Sequence, residues 1–89
     1  MNLKGKVALV TGASRGIGAA TATELANQGV SVVLAARTMS EIETNAATIN
    51  EAGGKAAAVA CDVSKYADVE GAVALCQKLF GGLDILVNN

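Results

Sequence analysis

The sequence predicts an α/β domain with a doubly wound parallel sheet whose strand order is 3-2-1-4. Two observations predict it: four short apolar runs alternate with longer segments of helical periodicity, and glycines stand where each helix should end. Parallel neighbours need a long crossover, so the order βαβαβαβ implies a parallel sheet with right-handed connections. All of residues 1–89 are expected to form one domain.

Four apolar runs predict the strands. Residues 7–10 form a continuous run between Gly5 and the turn at Thr11, which is typical of a strand buried on both faces. Residues 32–36 repeat this pattern, and residues 85–87 form the last strand. Residues 56–61 give a weaker third strand, because alanine is a poor strand former.

The first two helices are predicted from apolar spacing and end signals. The first runs from about residue 16 to residue 28, with Ile17, Ala20 and Leu25 on its inner side and a glycine at 29 to end it. The second opens at residues 40–43 with the sequence S-E-I-E, which fits an S-x-x-E capping box. Its inner stripe is formed by isoleucine and alanine at 42, 46 and 49, before the glycines at 53 and 54.

The third helix is predicted to begin near Tyr66 and to end at Gly81. Its apolar residues follow the spacing i, i+3, i+4, i+7 and i+11, and they are Val69, Ala72, Val73, Cys76 and Phe80.

Charge and cysteine content exclude several functions. The net charge is -1, from 7 basic and 8 acidic residues spread along the chain, so no nucleic-acid or anionic-membrane partner is expected. The run at 56–61 is far shorter than the ~20 residues that span a bilayer, and we expect a cytoplasmic protein. Without histidine, zinc-finger and Cys-His sites are excluded, no metal site is predicted, and Cys61 and Cys76 are expected to be reduced and buried.

Residues 11–18, TGASRGIG, carry the chemistry of the chain. Their glycine spacing, G-x-x-x-G-x-G, matches neither G-x-G-x-x-G nor the P-loop. A loop between a buried strand and a helix presents backbone N–H groups and a positive dipole end, which suit a pyrophosphate. Gly12 permits the sharp turn, Gly16 a close approach to the ligand and Gly18 close helix packing, while Ser14 offers a hydroxyl. On the residues alone, a connecting turn without ligand also stays open.

The loop resembles the T-G-x-x-x-G-x-G cofactor loop of the short-chain dehydrogenases/reductases. Residues 62–63, D-V, and residues 86–89, L-V-N-N, resemble that family's D-V and L-V-N-N-A-G segments in the expected order. The resemblance covers essentially the whole chain and implies a Rossmann-type fold and hydride transfer between a carbonyl and an alcohol. It is nearest in character to the NADP-dependent 3-oxoacyl-carrier-protein reductases, without fixing the substrate.

The resemblance also implies site residues. The cofactor phosphates and ribose would fall to Gly12, Ser14, Arg15 and Ile17, beside Gly16 and Gly18, the adenine to Asp62 and Val63, and the edge of the crevice to Asn88 and Asn89.

NADP(H) is predicted in preference to NAD(H). An NAD enzyme places an acid about 20 residues beyond the loop, to bind the ribose 2′-hydroxyl. Here residues 35–37 read A-A-R, so Arg37 could pair with a 2′-phosphate, with Arg15 approaching from the other side. The nearest acids, Glu41 and Glu43, are assigned to the start of the second helix.

No catalytic residue is predicted within residues 1–89. In the family the catalytic serine, the Tyr-x-x-x-Lys pair and a further asparagine follow the L-V-N-N-A-G segment. The single tyrosine, Tyr66, has Glu70 in place of that lysine, so the chain alone is expected to be inactive. Two alternatives stay open: a stand-alone nucleotide-binding half-domain, and an α/β domain, flavodoxin-like or otherwise, that holds another phosphate ligand or none.

The predicted topology also leaves apolar surface uncovered. The fourth strand would lie at a sheet edge, and the third helix alone would cover one face. We therefore expect an exposed apolar patch, with homo-oligomerisation or association with further segments through that edge and face. The other expected partner is a small carbonyl or alcohol substrate of the complete enzyme.

Overall fold

The computed structural model describes residues 2–89, and these form seven elements in the predicted order. The strands are β1 (Val7–Thr11), β2 (Ser31–Ala36), β3 (Lys55–Ala60) and β4 (Ile85–Val87), and the helices are α1 (Gly16–Asn27), α2 (Met39–Glu51) and α3 (Tyr66–Phe80).

The four strands form one parallel sheet in the order β3-β2-β1-β4, which confirms the predicted topology. In register, Leu9 of β1 lies between Val33 of β2 and Leu86 of β4. The strand order reverses beside β1, and in open α/β sheets ligands bind outside the carboxyl ends of the strands at such a point.

Two cores sandwich the sheet, because α1 and α2 cover one face and α3 covers the other. Ala8, Val10 and Leu34 pack with residues of α1 and α2, whereas Leu9 and Val33 pack with residues of α3. Every residue of β1 is buried, which explains why the strand is a continuous apolar run.

The inner face of α1 agrees with the prediction only at Leu25, which is partly buried and packs against the core. Ile17 is 79% exposed and Ala20 is also exposed, whereas the fully buried residues are Gly18, Ala22 and Ala26. The helix packs through small side chains because Gly18 lies directly against the backbone of Gly12.

The predicted capping box of α2 is wrong. The helix begins at Met39, its N-cap is Thr38, and no side chain caps it. Only Arg37 and Thr38 separate it from β2, so Ser40 already lies in the first turn, where its carbonyl oxygen accepts a bond from Thr44. The inner stripe at residues 42, 46 and 49 is buried as predicted.

The third helix agrees with its predicted bounds and face. Ala72 and Cys76 are buried, and Gly81 ends the helix with φ of +84°. Both cysteines are free and buried, as predicted. Burial raises the pKa of both thiols, and at Cys61 the carboxylates of Asp68 and Asp62 raise it further.

The face that carries α3 exposes apolar side chains near the edge strand. Val63 and Leu86 are 56% and 61% exposed and share a small cleft of about 140 Å³ with Leu9 and Val69. The exposed patch is thus present, and association through it stays a prediction. Among residues 2–89, no helix is long and apolar enough to cross a membrane.

Candidate functional site

A cleft of about 450 Å³ opens at the carboxyl ends of the strands. Residues that follow each of the four strands line it: Gly12 after β1, Arg37 after β2, Cys61 after β3 and Asn89 after β4. The complete lining is Gly12, Ser14, Arg15, Ala36, Arg37, Thr38, Glu41, Cys61, Val63 and Asn89.

The glycine loop owes its shape to two requirements, a positive φ at Gly12 and Gly16 and close packing at Gly18. Gly12 and Gly16 have φ of +60° and +64°, a region that other residues rarely adopt. A Cβ at Gly16 would meet nothing within 4 Å, so there only the backbone angle requires glycine. A Cβ at Gly18 would overlap the carbonyl oxygen of Gly12 and lie 2.8 Å from its carbonyl carbon. The loop can therefore present its backbone to a ligand while α1 approaches closely from behind.

Thr11 joins the glycine loop to the end of β4. Its Oγ1 donates to Oδ1 of Asn88 at 3.0 Å and accepts the N–H of Asn89 at 3.2 Å. The Asn89 side-chain Nδ2 also donates to the Thr11 carbonyl oxygen at 2.9 Å. The buried hydroxyl of Thr11 thus fixes the two asparagines. From the sequence, Thr11 was predicted only as a turn residue.

Asp62 lies just outside the cleft lining, in the turn before α3. Its Oδ1 accepts the Ser64 hydroxyl at 2.7 Å and the Ser64 N–H at 3.0 Å. These bonds, the hydroxyl first, hold the pKa of Asp62 below its usual range, and the charges of Arg37 and Lys65 lower it further. The carboxylate therefore stays ionised, and its neighbour Val63 lines the cleft.

The structure brings six of the eleven predicted site residues into one cleft: Gly12, Ser14, Arg15, Arg37, Val63 and Asn89. Five lie outside the lining. Gly16 and Gly18 shape the loop, Asp62 orders the neighbouring turn, Asn88 bonds to Thr11, and Ile17 turns its side chain to solvent. Whether any of the eleven residues contacts a ligand stays a prediction.

Four residues of the cleft lining were not assigned to the site from the sequence: Ala36 and Cys61 at strand ends, and Thr38 and Glu41 at the start of α2. Thr38 and Glu41 line the cleft because the helix begins only two residues beyond Arg37 and carries its first turn past that side chain. Asn45, one turn further, donates to the glycine loop. In the sequence, Asn45 is a polar residue three positions after the buried Ile42, and this position was the signal that could have identified it.

Known proteins resemble the chain along its whole length. The family profile described as short chain dehydrogenase matches residues 6–89. The chain is 48% identical over 82 residues to the short-chain reductase protein NovJ of Streptomyces niveus, covering 92% of this chain and 31% of that protein. It is 50% identical over 86 residues to a farnesol dehydrogenase of Aedes aegypti, covering 96% and 35%.

A shorter relative and a solved structure agree. The chain is 44% identical over 90 residues to the short-chain dehydrogenase/reductase homolog YusS of Bacillus subtilis, covering 100% of this chain and 83% of that one. A crystal structure of a hydroxysteroid dehydrogenase from Escherichia coli superposes with a TM-score of 0.95 at 34% identity, covering 99% of this chain and 37% of that one.

The chain spans about a third of the length of NovJ and of the farnesol dehydrogenase. The strand order, the glycine loop and the profile match over residues 6–89 lead to the same assignment. The chain belongs to the short-chain dehydrogenase/reductase family, whose named relatives are oxidoreductases.

Proposed function

We propose that residues 1–89 bind NADP(H) for a short-chain oxidoreductase that interconverts a carbonyl and an alcohol by hydride transfer. One observation carries the choice of NADP(H): Arg15 and Arg37 line the same cleft, and no lysine lines it. Both arginines of the chain are thus gathered where the cofactor phosphates would lie. A guanidinium binds phosphate through two parallel hydrogen bonds, which suits a 2′-phosphate.

The charge of the cleft lining supports this choice. Glu41 is the only carboxylate in the lining, against two arginines, so the lining carries one net positive charge. No acidic residue occupies the first turn of α1, so nothing there competes with an anion at the helix N-terminus. The site therefore favours the cofactor with the extra phosphate.

The residues present fit a dinucleotide. Gly12, Ser14 and the first turn of α1 would hold the pyrophosphate, the two arginines the 2′-phosphate, and Val63 with Asp62 the adenine. When bound, the nicotinamide supplies or accepts the hydride. The residues of this chain bind the cofactor and orient it at the carboxyl edge of the sheet.

Proton transfer to the substrate is assigned to residues outside 1–89. Tyr66 is 78% exposed at the start of α3 and does not line the cleft, and four residues later the chain has Glu70 rather than lysine. We therefore propose that this chain alone binds cofactor without turning over a substrate. The substrate itself would be a small carbonyl or alcohol compound.

The test is fluorescence titration with NADPH and NADH of the parent, Arg37→Ala and Arg15→Ala. Each charge-assisted bond to phosphate contributes about 1.5–3 kcal/mol, so each variant should bind NADPH about 10- to 100-fold more weakly. NADH lacks the 2′-phosphate, so its affinity should change much less. Lys78→Ala is the matched control, because it removes one positive charge from the last turn of α3, outside the cleft.

Two results would contradict the proposal. Unchanged NADPH binding in both arginine variants would show that neither holds the 2′-phosphate. An equal loss for NADPH and NADH would assign the arginines to a part that the two cofactors share, and NAD(H) would then be as good a ligand.

A second candidate function is a stand-alone nucleotide-binding module without catalysis. The observation that favours it is that this chain spans 83% of the length of one relative, YusS. A Tyr-x-x-x-Lys motif in sequence continuing beyond Asn89 would favour the enzyme, and its absence from such a sequence would favour the module.

A further inference from the structure

Asn45 of α2 reaches across to the backbone of the glycine loop. Its Nδ2 lies 3.1 Å from the Ala13 carbonyl oxygen and 2.9 Å from that of Ser14, and its side chain is half-buried. Both partners are acceptors, so only the amide NH2 group can face them. One side chain therefore satisfies two consecutive carbonyls of the loop.

We propose that Asn45 is a positioning residue that holds the glycine loop in the conformation that binds the dinucleotide. The proposal rests on the function proposed above, and it adds a residue that does not line the cleft.

The peptide geometry gives the physical reason. In a trans peptide the C=O and N–H groups point in opposite directions. Holding the Ala13 and Ser14 carbonyls toward α2 therefore turns the N–H groups of Ser14 and Arg15 away from it. Asn45 thus fixes the direction of two backbone donors in the segment that lines the cleft.

The loop needs such a tether because its glycines leave it free to move. Gly12 and Gly16 flank the segment, and glycine has the largest conformational freedom of any residue. The N–H of Ala13 donates to the Ala35 carbonyl oxygen of β2 at 3.2 Å, which anchors one side of the segment. Asn45 provides the anchor on the side of α2.

The same helix lines the cleft itself. Glu41 contacts the cleft one turn before Asn45, and the N-cap Thr38 contacts it as well. The bonds of Asn45 therefore hold the loop and the α2 wall of the cleft in one fixed arrangement.

Asn50 offers a matched control on the same helix. Its Nδ2 donates to the Ala56 carbonyl oxygen at 3.0 Å, and its Oδ1 accepts the Ala56 N–H at 2.8 Å. It too makes two hydrogen bonds from α2 to backbone, but at the start of β3, the opposite end of the strand from the cleft. Its loss should affect stability without affecting the loop.

The experiment compares Asn45→Ala and Asn50→Ala in the full chain. Urea unfolding, NADPH titration and hydrogen exchange of residues 12–18 without cofactor are measured for both. Asn45→Ala should bind NADPH about tenfold more weakly, as expected for two lost hydrogen bonds, and its loop should exchange faster. Asn50→Ala should match the parent in both respects.

Asn45→Asp tests the donor without changing the shape of the side chain. The carboxylate would face two carbonyl oxygens with no hydrogen to donate, so affinity should fall at least as far as in Asn45→Ala. This variant also decides the question if the alanine variant fails to fold.

Three outcomes are informative. Parent-like affinity and loop exchange in the Asn45 variants would overturn the positioning role, as would equal losses at Asn45 and Asn50 that follow the unfolding free energy. If the parent binds neither NADPH nor NADH, the proposed function fails, and the exchange of residues 12–18 alone then supports or overturns the role of Asn45.

Discussion

Replacing Gly18 with alanine should separate helix propensity from packing at the cofactor loop. Gly18 lies within α1, and a Cβ there would overlap the Gly12 carbonyl oxygen, lie 2.8 Å from its carbonyl carbon and 3.1 Å from Nδ2 of Asn89. The first two are backbone atoms of the loop, so they cannot rotate aside as a flexible side chain could. The loop or the helix must shift.

The size of the effect follows from two opposing contributions. Alanine inside a helix is favoured over glycine by about 1 kcal/mol. Overpacking against a fixed neighbour costs about 1–3 kcal/mol, and the displaced loop also strains the hydrogen bond from Asn89 to Thr11. We therefore expect Gly18→Ala to lower the free energy of unfolding by up to about 2 kcal/mol and to weaken NADPH binding.

Gly71→Ala is the matched control for urea unfolding followed by circular dichroism. Gly71 lies in α3, is exposed, and a Cβ there would meet nothing within 4 Å. It should gain up to about 1 kcal/mol from helix propensity alone. If Gly18→Ala stabilised the protein as much as Gly71→Ala, the close approach of α1 to the loop would be refuted.

Two further predictions concern the strand ends. Thr11→Val removes the hydroxyl that Asn88 and Asn89 share, so the free energy of unfolding measured in urea should fall by about 1–3 kcal/mol. Thr11→Ser keeps the hydroxyl and should lose less stability. Equal losses in the two variants would contradict the role of these hydrogen bonds. Ser64→Ala removes the main cause of the low pKa of Asp62, so that pKa should rise in an NMR titration of the carboxylate. A carboxylate whose pKa is lowered in the folded state stabilises the fold at pH values above the usual aspartate pKa, and this stabilisation is lost as the pH falls through the folded pKa. The folded state of the variant should therefore lose less stability in acid than the parent does. An unchanged pKa of Asp62 would contradict this prediction.

The two central strands, β1 and β2, were predictable because they are covered on both faces, which makes each a continuous apolar run. Most of the inner face of α1 was not predictable, because the helix carries alanine both at an exposed position, Ala20, and at buried ones, Ala22 and Ala26. The start of α2 was missed because S-x-x-E fits a cap, whereas the short connection after β2 sets the first turn at Met39.

Within the candidate site, local motifs predicted the loop and the strand ends but not the contacts between them. The bond from Asn45 to Ser14 joins residues that are 31 positions apart, and the position of Asn45 after the buried Ile42 marks the residue without indicating its partner. Such contacts depend on how two helices pack on the same face of the sheet, which a pattern along the chain does not encode.

The pairing of Thr11 with Asn88 and Asn89 gives the site a high contact order. These residues are 77 and 78 positions apart, so their bonds close a long loop. The entropy of that closure must be spent before the bonds form, and contacts of this kind slow folding. The first βαβ unit can form its local contacts early, but the wall of the cleft after β4 is added only when the residues after β4 meet the end of β1. Cofactor binding would therefore report the completed tertiary structure and not the secondary structure that precedes it.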